Sequence, residues 1–271
     1  MKPPAFEYLA AASLDQAVAA LGEEDAKILA GGQSLVPLLN FRLLAPSLLV
    51  DITRIPGLDY IEERDGGLAI GALTRHHALE TSPLVQARFP VLHAAMAHVA
   101  HLAIRNRGTI GGSLCHGDPA AELPGLALLL DARLKTTRRT IAAADFFQGA
   151  LATALEADEI LTEIMLPAPA PGTGWGFEEF ARRSGDFALA AVGVTIGAEV
   201  RIVVIGAHET PLRLTGAEAL FTDPGDIEAV AAAAREEITP NSDLHASADY
   251  RRHLVQVLTR RALRAAWERR S

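Results

Sequence analysis

The sequence predicts an α+β protein in two parts, on three observations. Residues 27–52 read strand, helix, strand; residues 60–70 read as a β-hairpin; and a proline-dense link at 167–174 precedes three strand-like runs and two helices. Each element has a local cause. Ser13-Leu14-Asp15-Gln16 is a capping box that starts a helix running to Leu21, with Gly22 as its stop. Lys27–Ala30 is a short apolar strand leading into Gly31-Gly32-Gln33-Ser34. Leu35–Leu44 forms a helix that tolerates Pro37 in its first turn, and Leu48–Ile52 is the next strand. Together they predict a parallel βαβ unit with a right-handed crossover. Asp65-Gly66-Gly67 between two strand-like runs predicts a tight hairpin. Val91, Ala94, Ala95, Val99 and Leu102 recur at helical spacing, which predicts one helix over 90–102. Leu126–Leu130 is helical, and the segments around 134–141 and 160–166 alternate as strands do. The link Pro167–Gly174 forbids regular pairing, so the expected parts are residues 1–168 and 173–271. The second holds strands near 176–181, 188–198 and 200–206, then helices near 226–237 and 249–268.

Composition sets bounds on function. With 271 residues, 49% hydrophobic and 21% charged, the chain supports a core and does not resemble a disordered one. No apolar run reaches the ~20 residues of a membrane span, and Met1–Phe6 lacks a signal-peptide core, so the expected location is cytoplasmic. The single cysteine, Cys115, excludes an internal disulfide and a cluster ligated by this chain's cysteines alone. A net charge of −8 argues against nucleic-acid binding. Residues 251–270 nonetheless carry seven Arg and one Glu. That basic stretch reads as a solvated helix face, with a docking surface as the alternative.

Two segments share a chemical feature: Ala30-Gly31-Gly32-Gln33-Ser34-Leu35 and Ile110-Gly111-Gly112-Ser113-Leu114. Each ends an apolar run with a glycine pair followed, directly or one residue on, by a serine. Glycine permits positive φ and close approach of a ligand to the backbone. Successive N–H groups in such turns converge on anions, and a following helix N-terminus adds partial positive charge. Two such turns suit a pyrophosphate gripped from both sides. A G-x-G-x-x-G fingerprint is missing, which excludes the nicotinamide-type reading.

The segments Ala30–Ile52 and Ile104–Glu122 closely resemble the flavoprotein subunit of the carbon monoxide dehydrogenase and xanthine dehydrogenase family. Ile70–Thr74, Glu159–Pro167 and Arg182–Ala188 extend the resemblance over nearly the whole chain. It implies a vanillyl-alcohol-oxidase (PCMH) type of FAD-binding domain, made of two α+β subdomains, followed by a small C-terminal domain with an antiparallel sheet and helices. It also implies non-covalent FAD. Residues Ala30, Gly31, Gly32, Gln33, Ser34 and Leu35 would wrap the pyrophosphate, chiefly by main-chain N–H groups. Thr109, Gly111, Gly112 and Ser113 would form a second wall. His116, Glu122 and Leu166 are the matching positions for ribityl, adenosine or ring contacts. Glu122 stands where the family usually has Asp, and Gln33 where many relatives have His. Glu179 falls where some members carry Lys, so that contact is not carried over.

Other residues keep two readings. Asp118 before Pro119 is either a flavin contact or an N-cap. Arg105 and Arg107 neutralise phosphate or anchor loops. Cys115 reads as a small buried residue rather than a redox thiol, and His93, His98 and His101 on one helix do not share a ligand face. Ser34 and Ser113 lack a nucleophile elbow and a triad. The resemblance places molybdenum–pterin and [2Fe–2S] clusters on a large and a small partner subunit, in an expected dimer of heterotrimers. This chain's flavin then relays electrons, with no catalytic side chain acting on the primary substrate. The alternative is a self-contained FAD oxidase or dehydrogenase of the same fold.

Overall fold

The computed structural model describes residues 2–270; Met1, the first residue of the stretch read as lacking a leader, and Ser271 lie outside the described residues. The chain begins with β1 (Glu7–Ala10), α1 (Leu14–Ala20), β2 (Lys27–Leu29), α2 (Leu35–Asn40) and β3 (Leu48–Asp51). The three strands are parallel in the order β1-β3-β2, so β2-α2-β3 is the expected parallel unit. β1 is an addition: its residues are half-exposed and lack a clear alternation, and pairing with β3 is what holds them extended. Ser13 caps α1 by accepting the Gln16 N–H at 3.2 Å, while the Gln16 side chain accepts from Ala12 N–H rather than from Ser13. The helix expected to reach Leu44 stops at Asn40, because Arg42 takes a φ of 58° that no helix continues.

Next come β4 (Ile61–Arg64) and β5 (Gly67–Gly71), joined through Asp65 and Gly66 at φ 52° and 76°. Positive φ at both central residues matches the twist of the flanking strands. Short helices follow: α3 (His76–Thr81), α4 (Pro83–Arg88), α5 (Pro90–Met96), α6 (Leu102–Arg105), α7 (Ile110–His116) and α8 (Glu122–Leu129). The single helix expected over 90–102 is thus two, broken where Ala100 adopts φ 45°. His93, His98 and His101 consequently do not lie on one helix.

The remaining N-terminal elements are β6 (Arg133–Thr136), β7 (Thr140–Ala142), α9 (Ala143–Phe146), β8 (Phe147–Gly149), β9 (Ala152–Thr153) and β10 (Leu161–Leu166). They complete a five-stranded antiparallel sheet in the order β4-β5-β10-β6-β7. Its core includes Leu68, Ile70, Leu134 and Ile164, packed against Leu92, Met96, Leu114 and Leu126 from the helices.

After the link, β11 (Gly174–Ala181), β12 (Ala188–Ile196), β13 (Val200–Ile205) and β14 (Leu212–Arg213) form an antiparallel sheet in sequence order. They are followed by α10 (Thr215–Glu218), α11 (Ile227–Glu237) and α12 (Ala248–Glu268). β12 is apolar on both faces because both are covered: α12 packs on it, and α8 of the N-terminal part packs on it too. The approaches are close. A Cβ on Gly125 would lie 2.2 Å from Ile205 Cγ1, and one on Gly176 would lie 2.1 Å from the Ala262 carbonyl. Gly176→Ala is therefore expected to push α12 off the sheet and cost about 1–3 kcal/mol, read as a lower midpoint in urea unfolding.

The basic stretch is largely engaged within the chain, which favours neither a free face nor a docking surface throughout. Arg251 is buried and donates to Leu189 O, Gly206 O and Asp243 at 2.6–2.8 Å. Arg260 pairs with Glu228, and the Arg269 guanidinium sits 3.9 Å over the Trp175 ring. No helix among the described residues is long and apolar enough to cross a membrane.

Candidate functional site

β2 ends at Leu29, and the chain turns through Ala30, Gly31 and Gly32, the last at φ 72°. The Gln33 side chain folds back and donates to Gly31 O at 2.9 Å, locking the turn. Ser34 precedes α2 without capping it, so its hydroxyl is uncommitted. The N–H groups of Gly31, Gly32, Gln33 and Ser34 meet no acceptor among the described residues. Leu35 opens the helix.

The second glycine pair behaves differently. Gly111 and Gly112 lie inside the first turn of α7, not in a loop, and their N–H groups are occupied. Gly111 donates to Ala72 O at 2.9 Å, Gly112 to Thr109 Oγ1 at 3.1 Å, and Ser113 to Thr109 O at 3.0 Å. The Thr109 hydroxyl is therefore this helix's cap. Symmetric donation from both turns, as the paired motifs suggest, is corrected: the first turn supplies free N–H groups and the second supplies a wall. With α2 only six residues long and α7 seven, the turns rather than helix ends carry the donors.

The glycines bring the two turns together. A Cβ on Gly31 would lie 2.3 Å from Arg107 O and 2.8 Å from Gly108 Cα, and one on Gly112 would lie 3.9 Å from Ala30 Cβ. Gly111 abuts Ala72 in the same way, at 2.6 Å from its carbonyl oxygen. The four free donors of the first turn thus sit against the segment that begins the second. Beneath them His76 is buried with neither ring nitrogen hydrogen-bonded, and burial pushes its pKa down to about 4.

The other expected residues are distributed unevenly. His116 ends α7, and Gly117 closes that helix at φ 63°. Asp118 is not an N-cap: its carboxylate accepts from the Ala120 N–H at 2.9 Å in a local turn, and Ala121 precedes α8. Glu122 is the first residue of α8 and is buried. Leu166 points its side chain into the core beside Ile110 and Leu114, leaving only its main chain for a ligand. Arg105 proves to be a loop anchor, bonded to Glu80 and to the carbonyls of Val99 and Ala100, each at 2.9 Å. Cys115 packs at the edge of the core, and burial pushes its thiol up to about 12, which suits the inert reading.

Sequence reasoning passed over one feature. Glu179 of β11 is buried against His98, with Nδ1 at 3.6 Å from Oε1, and close enough to Glu122 for their charges to interact. Burial and the Glu179 charge raise the Glu122 carboxyl to about 8. The positions of Glu179 and His98 were each legible, but only the fold brings them to Glu122. Among the described residues no group of His, Cys, Asp or Glu is arranged to hold a metal.

Comparison with known proteins agrees with this architecture. Residues 4–169 match the family model described as the FAD binding domain in molybdopterin dehydrogenase, and residues 175–266 match the CO dehydrogenase flavoprotein C-terminal domain. The 6-hydroxypseudooxynicotine dehydrogenase complex subunit alpha of Paenarthrobacter nicotinovorans is 43% identical, over 99% of this chain and 97% of that protein. The nicotine 6-hydroxylase medium subunit of the same organism is 42% identical, over 97% and 98%. A solved carbon monoxide dehydrogenase from Hydrogenophaga pseudoflava superposes with a TM-score of 0.96 at 41% identity, covering 100% of both chains. A protein of two sheets with free donors at one glycine turn, matched end to end by these relatives, belongs to the FAD-binding flavoprotein family of the molybdopterin dehydrogenases, and is an oxidoreductase chain.

Proposed function

We propose that this chain is the electron-transferring FAD subunit of a heteromeric molybdenum hydroxylase. It takes electrons from [2Fe–2S] clusters on a small partner subunit and passes them to an external acceptor, while a large partner with a molybdenum–pterin cofactor hydroxylates the substrate. The observation that carries the reading is the row of four uncommitted N–H groups from Gly31 to Ser34, set against the second glycine turn. The printed names of the relatives, a dehydrogenase complex subunit and a hydroxylase medium subunit, support the division of labour.

In this reading the first turn holds the pyrophosphate by main-chain donation, with the Ser34 hydroxyl beside it, and Gln33 and Leu35 keep the turn and helix in place. Thr109, Gly111, Gly112 and Ser113 shape the opposite wall, and Ser113 contributes a hydroxyl. His116, Asp118, Glu122 and the Leu166 main chain line the remainder, with Arg107 exposed for charge neutralisation. FAD, held non-covalently, supplies the redox chemistry; the protein binds and orients it. The domain limits 1–168 and 173–271, a cytoplasmic location and a dimer of heterotrimers belong to the same proposal.

The test expresses the chain alone and together with the two neighbouring subunits. The chain alone is expected to bind FAD, releasable by heat or acid, and to show no hydroxylation of an organic substrate. Adding the partners is expected to produce substrate-driven dye reduction. A lone chain that oxidises an organic substrate at ~1 s⁻¹ or faster would replace this reading with the self-contained flavoenzyme.

A further inference from the structure

Electrons from an iron–sulfur donor arrive without protons, whereas reduction of a flavin ring forms at least one N–H bond. A chain that carries out the proposed relay therefore needs a proton source next to the flavin. The structure holds a buried carboxyl cluster that nothing in the binding scheme uses, at the seam where α8 of the N-terminal part meets β11 of the C-terminal part.

Three side chains make it. Glu122 is 5% exposed and makes no hydrogen bond through its carboxyl among the described residues. The Glu179 side chain is 3% exposed, and its Oε2 has no hydrogen-bond partner although its Oε1 faces His98 Nδ1 at 3.6 Å. The His98 side chain is 40% exposed and is oriented by the Phe177 ring, with centroids 5.4 Å apart. Exposure thus falls from an imidazole in contact with water to two carboxyls that are nearly sealed. A second carboxylate beside a buried one makes double ionisation costly, so one proton remains at the pair.

We propose, resting on the FAD reading, that Glu122 holds the proton consumed when the flavin is reduced, and that Glu179 and His98 resupply it from solvent. The balance is direct. The iron–sulfur donor is oxidised and its electrons reduce the flavin. The Glu122 O–H bond breaks as a flavin N–H bond forms, and the vacated carboxylate regains a proton from the His98 imidazolium by way of Glu179. Water then reprotonates His98.

The surrounding charges favour this direction of transfer. Burial first, then Glu179 and, more weakly, Asp118 raise the Glu122 carboxyl to about 8, against a lowering by its own backbone N–H and by His98. The Glu179 contact raises His98, with Glu122 and Glu178 adding to it against burial. β12 contributes no titratable side chain to the seam, and the only one on β13, Arg201, pairs with Asp131. At neutral pH Glu122 is therefore a neutral acid beside a His98–Glu179 ion pair.

The experiment uses the full chain, first without flavin. Infrared difference spectra at neutral pH should show a protonated carboxyl band that is lost in Glu122→Gln, and NMR titration of His98 should shift down in Glu179→Gln. The chain loaded with FAD is then reduced anaerobically by dithionite across a pH series in H₂O and D₂O, with rates taken per bound flavin. The wild-type rate should fall as pH rises through about 8. Glu122→Gln should be roughly a hundredfold slower at neutral pH and lose that dependence and the solvent isotope effect. Glu122→Asp should restore them, and Glu179→Gln should move the break to lower pH. Unchanged rates and pH profile in Glu122→Gln, or a wild type with no protonated carboxyl band, would overturn the proton role while leaving FAD binding intact. A wild type that stays colourless in excess FAD overturns the binding reading instead.

Discussion

Gly32→Val is expected to leave the protein colourless in excess FAD while the C-terminal sheet stays folded. Gly32 sits at φ 72°, and a Cβ there would meet only the flexible ends of Val36 and Leu29, at 3.2 and 3.3 Å. The damage is therefore conformational: a β-branched residue at positive φ costs about 1–3 kcal/mol, up to roughly a hundredfold in affinity, and it reorients the free N–H groups on either side. Gly31 fails for a different reason. Its Cβ would collide with backbone at 2.3 Å, so even Gly31→Ala should separate the two turns and lower stability as well as binding. Gly112→Val should also abolish binding, since its Cβ would fall 2.8 Å from Thr109 Oγ1 and break the cap of α7. Gln33→Ala should be mild, removing one hydrogen bond worth about 1 kcal/mol. Flavin absorbance after reconstitution, with circular dichroism as the folding control, separates these cases. Wild-type flavin occupancy in Gly32→Val would contradict the assignment of the first turn.

Glu159→Ala should be the most destabilising single change outside that site, by about 3–5 kcal/mol, because it strands buried partners of a carboxylate. Glu159 is 2% exposed and accepts from Thr136 Oγ1 at 2.6 Å, from Arg139 Nε and Nη2 at 3.0 Å, and from the Glu156 N–H at 3.1 Å. Burial alone would raise its pKa, but the bonds from Arg139, Thr136 and the backbone outweigh burial and hold it at about 2. A carboxyl depressed in the folded state stabilises fully above its unfolded value, near 4.5, and loses that contribution as pH falls toward 2. Denaturant unfolding should therefore show wild-type stability dropping through that window. The drop should be shallower in Glu159→Ala, and an equal slope in both would show that the cluster is not coupled to folding.

Elements with strictly local signals were legible in the sequence. The capped helix after Ser13, the Asp65-Gly66 hairpin, the strand pair around the first glycine turn, the proline link and the three long C-terminal strands all appear where their residue patterns put them. The misread helix over 90–102 shows the limit of periodicity. Its apolar spacing continues through Val99 and Leu102, yet Ala100 at φ 45° ends the helical path so that His101 can start a new turn. β1 was missed because a half-exposed edge strand needs its partner to be visible as one.

By itself the sequence determined that two glycine turns exist, that one cysteine cannot build a cluster, and that an antiparallel second part follows a proline break. These properties depend on residue type and near-neighbour spacing alone. Only the tertiary structure decided which turn is the donor, because the N–H groups of Gly111 and Gly112 are consumed by Ala72 and Thr109, a fact of hydrogen-bond saturation invisible in two similar strings. Only it decided that Glu122, Glu179 and His98 share one seam. They come from three distant parts of the chain, and they matter as a group because burial away from water makes their charges act on one another.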